Sequence, residues 1–268
     1  MLASVRKAAV AGTFYPGSAE KLKEAVRRLL AEAAGTSEAA LPVPKALIVP
    51  HAGYIYSGPI AASAYSTLAP ARGRIRRVVI LGPSHRVYVR GLAFPQDTEF
   101  ETPLGRLTVS EEARRTLGDY AQVSVADEAH RREHSLEVQL PFLQALFDRV
   151  EIVPLAVGEA PANEIAEVLG ALWGADDTII LISSDLSHYL PYDEAVKKDR
   201  AAVDNILVLE PLGYDGACGA APINGLLAAA RRRGLSARLL DLRNSGDTEG
   251  DKSRVVGYAA VAFQEKGR

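Results

Sequence analysis

Histidines follow three separate apolar runs of this 268-residue sequence, and their placement favours a shared site. His51 ends ALIVPH, His85 ends VVILGPSH, and His188 ends TIILISSDLSH with Asp185 three residues before it. If the runs are parallel strands, their carboxyl ends meet at one sheet edge, where ligands bind in open α/β folds. Imidazole is a ligand for iron, zinc, copper and nickel. For each histidine the alternative is a turn cap or a backbone hydrogen bond, but for the three together we favour a metal site.

The segment REHSLE holds two further titratable candidates, His134 and Glu137. Their spacing of three would place them on one face of a helix, where either could act in general acid–base catalysis. Pro141 leaves a helix here uncertain, and a solvated charged turn is an equal alternative. His130 stands next to two arginines, and we expect it to be exposed and without a role.

The single cysteine, Cys218, lies in DGACGAAPINGLL, which predicts a loop opening into a helix. Backbone N–H groups and the helix dipole at such a position favour a thiolate, which could bind a metal or act as a nucleophile. The alternative is a small buried hydrophobic residue. The sequence has no CxxC pair and no GxGxxG, GxxxxGK[ST] or GxSxG motif, so zinc-finger, usual nucleotide-binding and α/β-hydrolase functions lack support.

The elements that must position these residues alternate between short apolar strands and helices. Nearly continuous apolar runs predict central strands, buried on both faces, at 46–49, 78–81, 152–155 and 179–182. Further strands are predicted at 92–95, 107–109, 123–125 and 255–263. Helical spacing predicts helices at 20–33 after an N-cap at Ser18, at 59–68, at 162–173 and at 222–233 before Gly234, with a loop at 35–44.

This alternation predicts an α/β fold, as a single three-layer domain over residues 1–268 with a mostly parallel central sheet and helices on both faces. A formal net charge of -2 argues against a nucleic-acid partner. No apolar run is long enough to span a bilayer, and the first residues lack a signal-peptide pattern. We therefore expect a cytoplasmic protein without a membrane partner, of prokaryotic composition, with a homodimer as the base-rate expectation.

Six segments, in order along the chain, resemble motifs of the Memo family. They are VAGTFYPG at 10–17, PHAGYIYSGP at 50–59, LGPSHRVY at 81–88, EHSLEVQLPFL at 133–143, ISSDLSHY at 182–189, and the segment around Cys218. The resemblance implies a fold similar to class III extradiol dioxygenases, which are non-haem iron enzymes. It also implies a metal site on His51, His85 and Cys218, with iron(II) as the expected metal and copper or zinc as alternatives.

The resemblance further implies which residues surround the metal. We expect three residues that match the pocket lining to take part in catalysis: His188, Asp185 and His134. We expect three others in the matched motifs to bind substrate: Phe14, Tyr54 and Glu137. Animal members are linked to phosphotyrosine-peptide binding, and prokaryotic members often occur beside radical-SAM genes, so a peptide ligand and a radical-SAM partner are implied as well.

Two functions of different classes follow. The first is a metal-dependent redox enzyme, similar to a dioxygenase, that acts on an unknown small molecule. Cys218 stands where the dioxygenases use a carboxylate ligand, so the shared fold does not carry extradiol cleavage with it. The second is a non-catalytic module that binds a peptide or a small anion in the same pocket, with Arg86 and Arg90 supplying positive charge. Zinc-dependent hydrolysis, with His134 or Glu137 as the base, is a third alternative.

Overall fold

The computed structural model describes residues 4–36 and 42–265, and within these ranges twelve strands form one sheet. In chain order the strands are β1 (Val5–Arg6), β2 (Ala46–Val49), β3 (Arg77–Pro83), β4 (Leu92–Phe94), β5 (Glu99–Thr102), β6 (Gly105–Val109), β7 (Val123–Val125), β8 (Glu151–Val157), β9 (Thr178–Ser183), β10 (His188–Leu190), β11 (Leu235–Asn244) and β12 (Val255–Glu265).

The α-helices of the described ranges fall between these strands. They are α1 (Ala19–Thr36), α2 (Tyr54–Tyr65), α3 (Glu111–Leu117), α4 (Asp127–Arg131), α5 (Leu140–Leu146), α6 (Ala162–Ala171), α7 (Tyr192–Leu207) and α8 (Ala220–Arg233). Short 3-10 helices occur at Ser66–Ala71, Glu137–Gln139 and Ser245–Asp247. No helix in the described part of the chain is both long and apolar enough to cross a membrane.

The centre of the sheet is parallel. Across the sheet the order is β1-β5-β6-β8-β3-β9-β2-β12-β10, with β11 paired to β12, and with β4 paired to β7 and β8. The consecutive pairs from β6 to β2 are all parallel, whereas β12 is antiparallel to β2. The four predicted central strands are confirmed, and they are buried along almost their whole length because helices cover the sheet.

Helices complete the three layers that the sequence predicts. One group consists of α1, α2 and α5, with α1 in contact with both of the others, and α2 also packs on β2, β11 and β12. Another group consists of α3, α6 and α8, with α8 on β3 and β9, while α7 packs on β11 and β12. The predicted α/β class, with a mostly parallel central sheet, is confirmed.

Some predicted boundaries differ from the structure. The helix predicted at 59–68 begins five residues earlier, at Tyr54, and continues past Pro59 to Tyr65 before a 3-10 segment. Proline is commoner at the start of a helix than inside one, which explains why the sequence placed the start of this helix at Pro59. Helix α1 runs through residues 35–36, where a loop was predicted, and residues 37–41 of that loop lie outside the described residues. Ser18 caps α1 as predicted, since its Oγ accepts from the Lys21 N–H at 3.4 Å.

Candidate metal centre

Two histidines and the cysteine come together at the carboxyl ends of the parallel strands. One ligand atom from each of His51, His85 and Cys218 lies within 4.8 Å of the other two. The Cys218 Sγ and the His51 Nε2 are 3.2 Å apart. His51 is buried, Cys218 is partly buried, and His85 is the most exposed of the three. This is the N₂S donor set that soft and borderline transition metals accept.

The strand ends explain this convergence. Strand β2 ends at Val49, two residues before His51, and β3 ends at Pro83, two residues before His85. Both strands are parallel neighbours of β9, so their carboxyl ends lie at the same edge. Cys218 comes from the turn before α8 and is tied to the end of β9 by the backbone of Asp185. The Asp185 N–H donates to Cys218 Sγ at 3.3 Å, and the Cys218 N–H donates to the Asp185 carbonyl at 3.2 Å.

The hydrogen bonds around His51 determine which ring nitrogen carries its proton. Ser183 Oγ donates its only proton to the Ser135 carbonyl at 2.6 Å and accepts from Gln139 Nε2 at 2.8 Å. Since it has no second proton, it must also accept at its 3.0 Å contact with His51 Nδ1. The Nδ1 atom is therefore protonated, and the Nε2 lone pair is left for a ligand beside Cys218 Sγ.

His85 is held in the same way, but by a carboxylate. Glu133 Oε1 lies 2.9 Å from His85 Nδ1, and Glu133 Oε2 accepts from the His85 backbone N–H at 2.7 Å. Because a carboxylate only accepts, Nδ1 is the donor and Nε2 is free. Backbone N–H groups of His134 and Ser135 also donate to Glu133. This carboxylate–histidine arrangement is the usual support of a metal-ligating histidine.

Burial controls the charge of the site. It lowers the pKa of His51 to about 4, with the Asp185 carboxylate opposing the shift and His134 and His85 adding to it, so the ring is neutral at pH 7. Burial also raises the pKa of the Cys218 thiol to about 12, and the Asp185 charge raises it further. The expectation that the helix N-terminus favours a thiolate is therefore wrong for the metal-free protein, because desolvation outweighs the backbone donors.

For Glu133, burial opposes ionisation, but contacts with the His134 and His85 side chains outweigh it. They hold the pKa of this carboxyl far below its usual range. Glu133 is thus a buried anion directly behind two histidines. Sequence reasoning missed it, although it stands beside His134 in the REHS segment, because its partner His85 is 48 residues away in the chain.

Asp185 and His188, both expected at the pocket, lie in different surroundings. Asp185 is buried, and its Oδ1 accepts from the His51 backbone N–H at 2.7 Å, so it fixes the segment that carries His51. His188 is exposed at the start of β10, and its Nδ1 donates to the Leu186 carbonyl at 2.9 Å. It shares a cleft of about 250 Å³ with Cys218. Three histidines do converge at the site, but the third is His134 and not His188.

His134 lies against both candidate ligand histidines, stacked on the ring of His85 and edge-on to that of His51. Its ring centroid lies 4.7 Å from that of His85 and 5.3 Å from that of His51. Phe14 also packs against His134, with the two ring centroids 4.6 Å apart, which fits the pocket-wall position that the family resemblance implies. His134 precedes the 3-10 helix that contains Glu137, so the two residues do not share the helix face that their spacing suggested.

Glu137 and Tyr54, expected to bind substrate, have structural roles. Glu137 is fully buried, pairs with Arg6, and accepts from the Tyr15 hydroxyl at 2.6 Å and from the N–H groups of Ala9 and Val10. Tyr54 is buried, and its hydroxyl donates to the Val138 carbonyl at 2.6 Å. Because their polar atoms are used in this way, we do not retain either residue as a substrate ligand or base.

His130 is buried, contrary to the prediction of an exposed residue. Its Nε2 donates to the Ala93 carbonyl at 3.0 Å, and its ring lies against Phe100. The neighbouring arginines suggested a solvated surface, but α4 turns His130 inward while Arg131 remains exposed.

Another cavity lies at the opposite edge of the sheet, where the parallel strands begin. It measures about 900 Å³, and Arg77, Glu151 and Thr178, which begin β3, β8 and β9, line it. Its charged walls pair among themselves, as in the bond from Arg77 to Glu112. We therefore place the candidate site at the histidine edge and not at this cavity.

The fold and this donor set define an α/β protein with a candidate transition-metal centre. The model of the family described as Memo-like protein matches residues 6–262, so the chain belongs to the Memo family. It is 42% identical to a MEMO1 family protein of Ignicoccus hospitalis, covering 97% of this chain and 98% of the relative. A MEMO1 family protein of Metallosphaera sedula is 38% identical, covering 97% and 99%.

Among solved structures, the fold resembles that of the uncharacterized protein JW3007 from Escherichia coli K12. The TM-score is 0.54, with 16% sequence identity, over 82% of this chain and 99% of that chain. At this identity the likeness concerns the fold alone.

Proposed function

We propose that His51 Nε2, His85 Nε2 and Cys218 Sγ hold a transition-metal ion, and that the protein is a metal-dependent redox enzyme acting on a small molecule. The observation that carries the proposal is the convergence of these atoms within 4.8 Å, with both imidazoles fixed in the tautomer that leaves Nε2 free. Histidines without a ligand would have no need of this shared orientation.

The donor set suggests the metal. One thiolate and two imidazoles favour iron or copper, or zinc in a structural role, over the hard cations that prefer oxygen ligands. We place iron(II) first because the resemblance to the Memo family implies a fold similar to that of non-haem iron enzymes. When bound, such an ion would supply one-electron chemistry and sites open to substrate.

The chain's own residues would then have separate tasks. Glu133 and Ser183 orient the two ligand histidines, and Asp185 ties the His51 segment to Cys218. His134 lies against both ligand rings with its Nδ1 3.2 Å from Glu133 Oε1, which suits it to exchange a proton with a bound substrate. Phe14 would keep water from that side of His134. His188, in the cleft beside Cys218, stays a second candidate for proton transfer.

Metal content tests this proposal. The protein is purified without oxygen and without an affinity tag, and is analysed by elemental analysis beside the His51→Ala/His85→Ala double variant. We expect near-stoichiometric iron or copper in the parent protein and loss of it in the folded double variant. The matched control is His188→Ala, which removes a histidine of the same edge outside the donor set and should retain the metal.

Unchanged metal content in the folded double variant would overturn the proposal. Protein that takes up no iron, copper or zinc after reconstitution would also contradict it, and would favour the second function, a non-catalytic module that binds a peptide or anion. The predicted homodimer and radical-SAM partner stay predictions.

A further inference from the structure

A cavity of about 380 Å³ lies beside the metal centre, between the chain that follows β3 and the start of α8. Cys218 forms part of its wall. The rest of its wall comes from the chain after β3, the end of β8, and the turn and first residues of α8. It includes Val87, Tyr88, Val157, Tyr214, Ala221 and Pro222. The cavity therefore adjoins one of the proposed metal ligands.

The walls of this cavity offer little that would bind a polar ligand. Ser84 Oγ donates to the Val87 carbonyl at 2.6 Å, and the Tyr88 hydroxyl donates to Glu159 Oε2 at 2.9 Å, so their donors are already used. Glu159 is the charged side chain among the described wall residues. Its negative charge disfavours an anion, while the apolar side chains favour a hydrophobic group.

Two tyrosine rings stand at the cavity without protein cover. Tyr88 is 77% exposed and Tyr214 is 90% exposed, so neither ring contributes much to the core. Both line the cavity, one three residues after His85 and the other four residues before Cys218. Exposed aromatic rings beside an apolar cavity are suited to stack on a flat ligand.

We propose that this cavity binds the apolar body of an uncharged aromatic substrate, which lies between the two tyrosines with one end at Cys218. This inference rests on the proposed function for its chemistry, but the cavity itself can be tested without a metal. This proposal places the substrate beside Cys218 and the first residues of α8, and not beside Tyr54 and Glu137.

The test uses two probes of the same shape, 2-naphthol and 2-naphthoate, titrated into the whole protein and followed by probe fluorescence. We expect the neutral probe to bind and the anion to bind at least about tenfold more weakly, because of Glu159. Filling the cavity by Ala221→Phe should weaken 2-naphthol binding by about tenfold or more. Tyr214→Ala, which removes a side chain that is 90% exposed, should weaken 2-naphthol binding by about three- to tenfold.

The matched control is Ala228→Phe. Ala228 is half-buried like Ala221 and lies two turns further along α8, away from the cavity, so this variant should bind 2-naphthol like the parent. Equal binding by the parent, Ala221→Phe and Tyr214→Ala would overturn the proposal, as would tighter binding of 2-naphthoate.

A second readout separates this inference from the proposed function. In protein loaded with Co²⁺, saturation with 2-naphthol should shift the cobalt–thiolate absorption band, since the probe lies against Cys218. If Co²⁺ does not bind, the proposed function fails, but the probe titrations still test whether the cavity binds an aromatic ligand. If Co²⁺ binds and 2-naphthol leaves the band unchanged, the placement beside Cys218 is contradicted.

Discussion

The Glu133 side chain has its contacts concentrated on His85, a candidate metal ligand, and on the segment that carries His134. It receives the ring and backbone N–H groups of His85 and the backbone N–H groups of His134 and Ser135, and it is buried. A buried carboxylate with four donors remains ionised, so it orients the His85 ring and increases the basicity of Nε2. Its contribution should therefore appear in metal affinity and not only in stability.

Replacement of this carboxylate tests that role. We expect Glu133→Gln to lower metal affinity by about 10- to 100-fold, because the amide is uncharged and turns an N–H group towards one of the donors. Affinity is measured by competition with a chelator on folded protein. Glu128→Gln, at an exposed carboxylate five residues earlier, is the control and should bind metal like the parent. Equal affinities for the two variants would mean that Glu133 does not support the centre.

At the scale of elements, the turn before α8 must fit closely against the end of β9. The Gly219 N–H donates to Ser184 Oγ at 2.9 Å. A Cβ at Gly219 would lie 2.7 Å from both the Cβ and the Oγ of Ser184 and 3.0 Å from the Ser183 carbonyl oxygen. Glycine is thus required here by space, and this contact sets the position of Cys218 relative to His51.

Gly219→Ala should therefore displace Cys218. We expect weaker metal binding together with a loss of about 1–3 kcal/mol in unfolding free energy, as for other overpacked sites. The control is Gly170→Ala in α6, where a Cβ meets nothing within 4 Å. That variant should bind metal normally and gain up to about 1 kcal/mol, because alanine is the better helix former. Chemical denaturation and chelator competition measure both quantities, and normal metal binding by Gly219→Ala would refute the role of this contact.

The elements differed in how well the sequence predicted them. Strands β2, β3, β8 and β9 are apolar on both faces, so their runs were conspicuous. Strands β1, β5, β10 and β11 were missed, because they are short or only partly buried and so lack a continuous apolar run. Their pairing depends on distant partners such as β5 and β12, which local patterns do not reveal.

The ligands show the same division between local and distant information. His51 and His85 were found because each follows a recognisable strand. For Cys218 the local sequence left a reactive thiolate and a small buried hydrophobic residue as alternatives, and the family motifs favoured a metal ligand. Glu133 and Ser183 were missed as supports, since their hydrogen bonds join residues 48 and 132 positions apart. Glu137 illustrates the converse case: it is a motif residue, and it joins the N-terminal segment to the rest of the molecule through Arg6 and Tyr15.

For the whole molecule, buried histidines make stability depend on pH. Burial lowers the pKa of His130 to about 4, below the value of 6.5 for a free side chain, although its bond to Ala93 opposes the shift. The unfolded chain therefore binds a proton below pH 6.5 that the folded protein does not bind until about pH 4. Stability from this residue is complete above pH 6.5 and is lost as the pH falls towards 4.

We expect His130→Gln, which stays neutral and keeps an N–H donor for Ala93, to lose less stability than the parent between pH 6.5 and pH 4. The difference should reach up to about 3 kcal/mol. Urea denaturation of metal-free protein across this range measures it. His51 should cause a similar loss in both proteins, so the slope is reduced and not abolished. Parallel pH profiles for the two proteins would show that His130 is not the responsible group.

The most direct test of the central claim is X-ray absorption spectroscopy of the zinc-loaded protein, which reports the atoms that contact the metal. The account predicts one sulfur neighbour at about 2.3 Å and two imidazole nitrogens at about 2.0 Å. The sulfur signal should disappear in Cys218→Ala. A spectrum of the parent protein with only nitrogen and oxygen neighbours, or a sulfur signal that persists in Cys218→Ala, would contradict it.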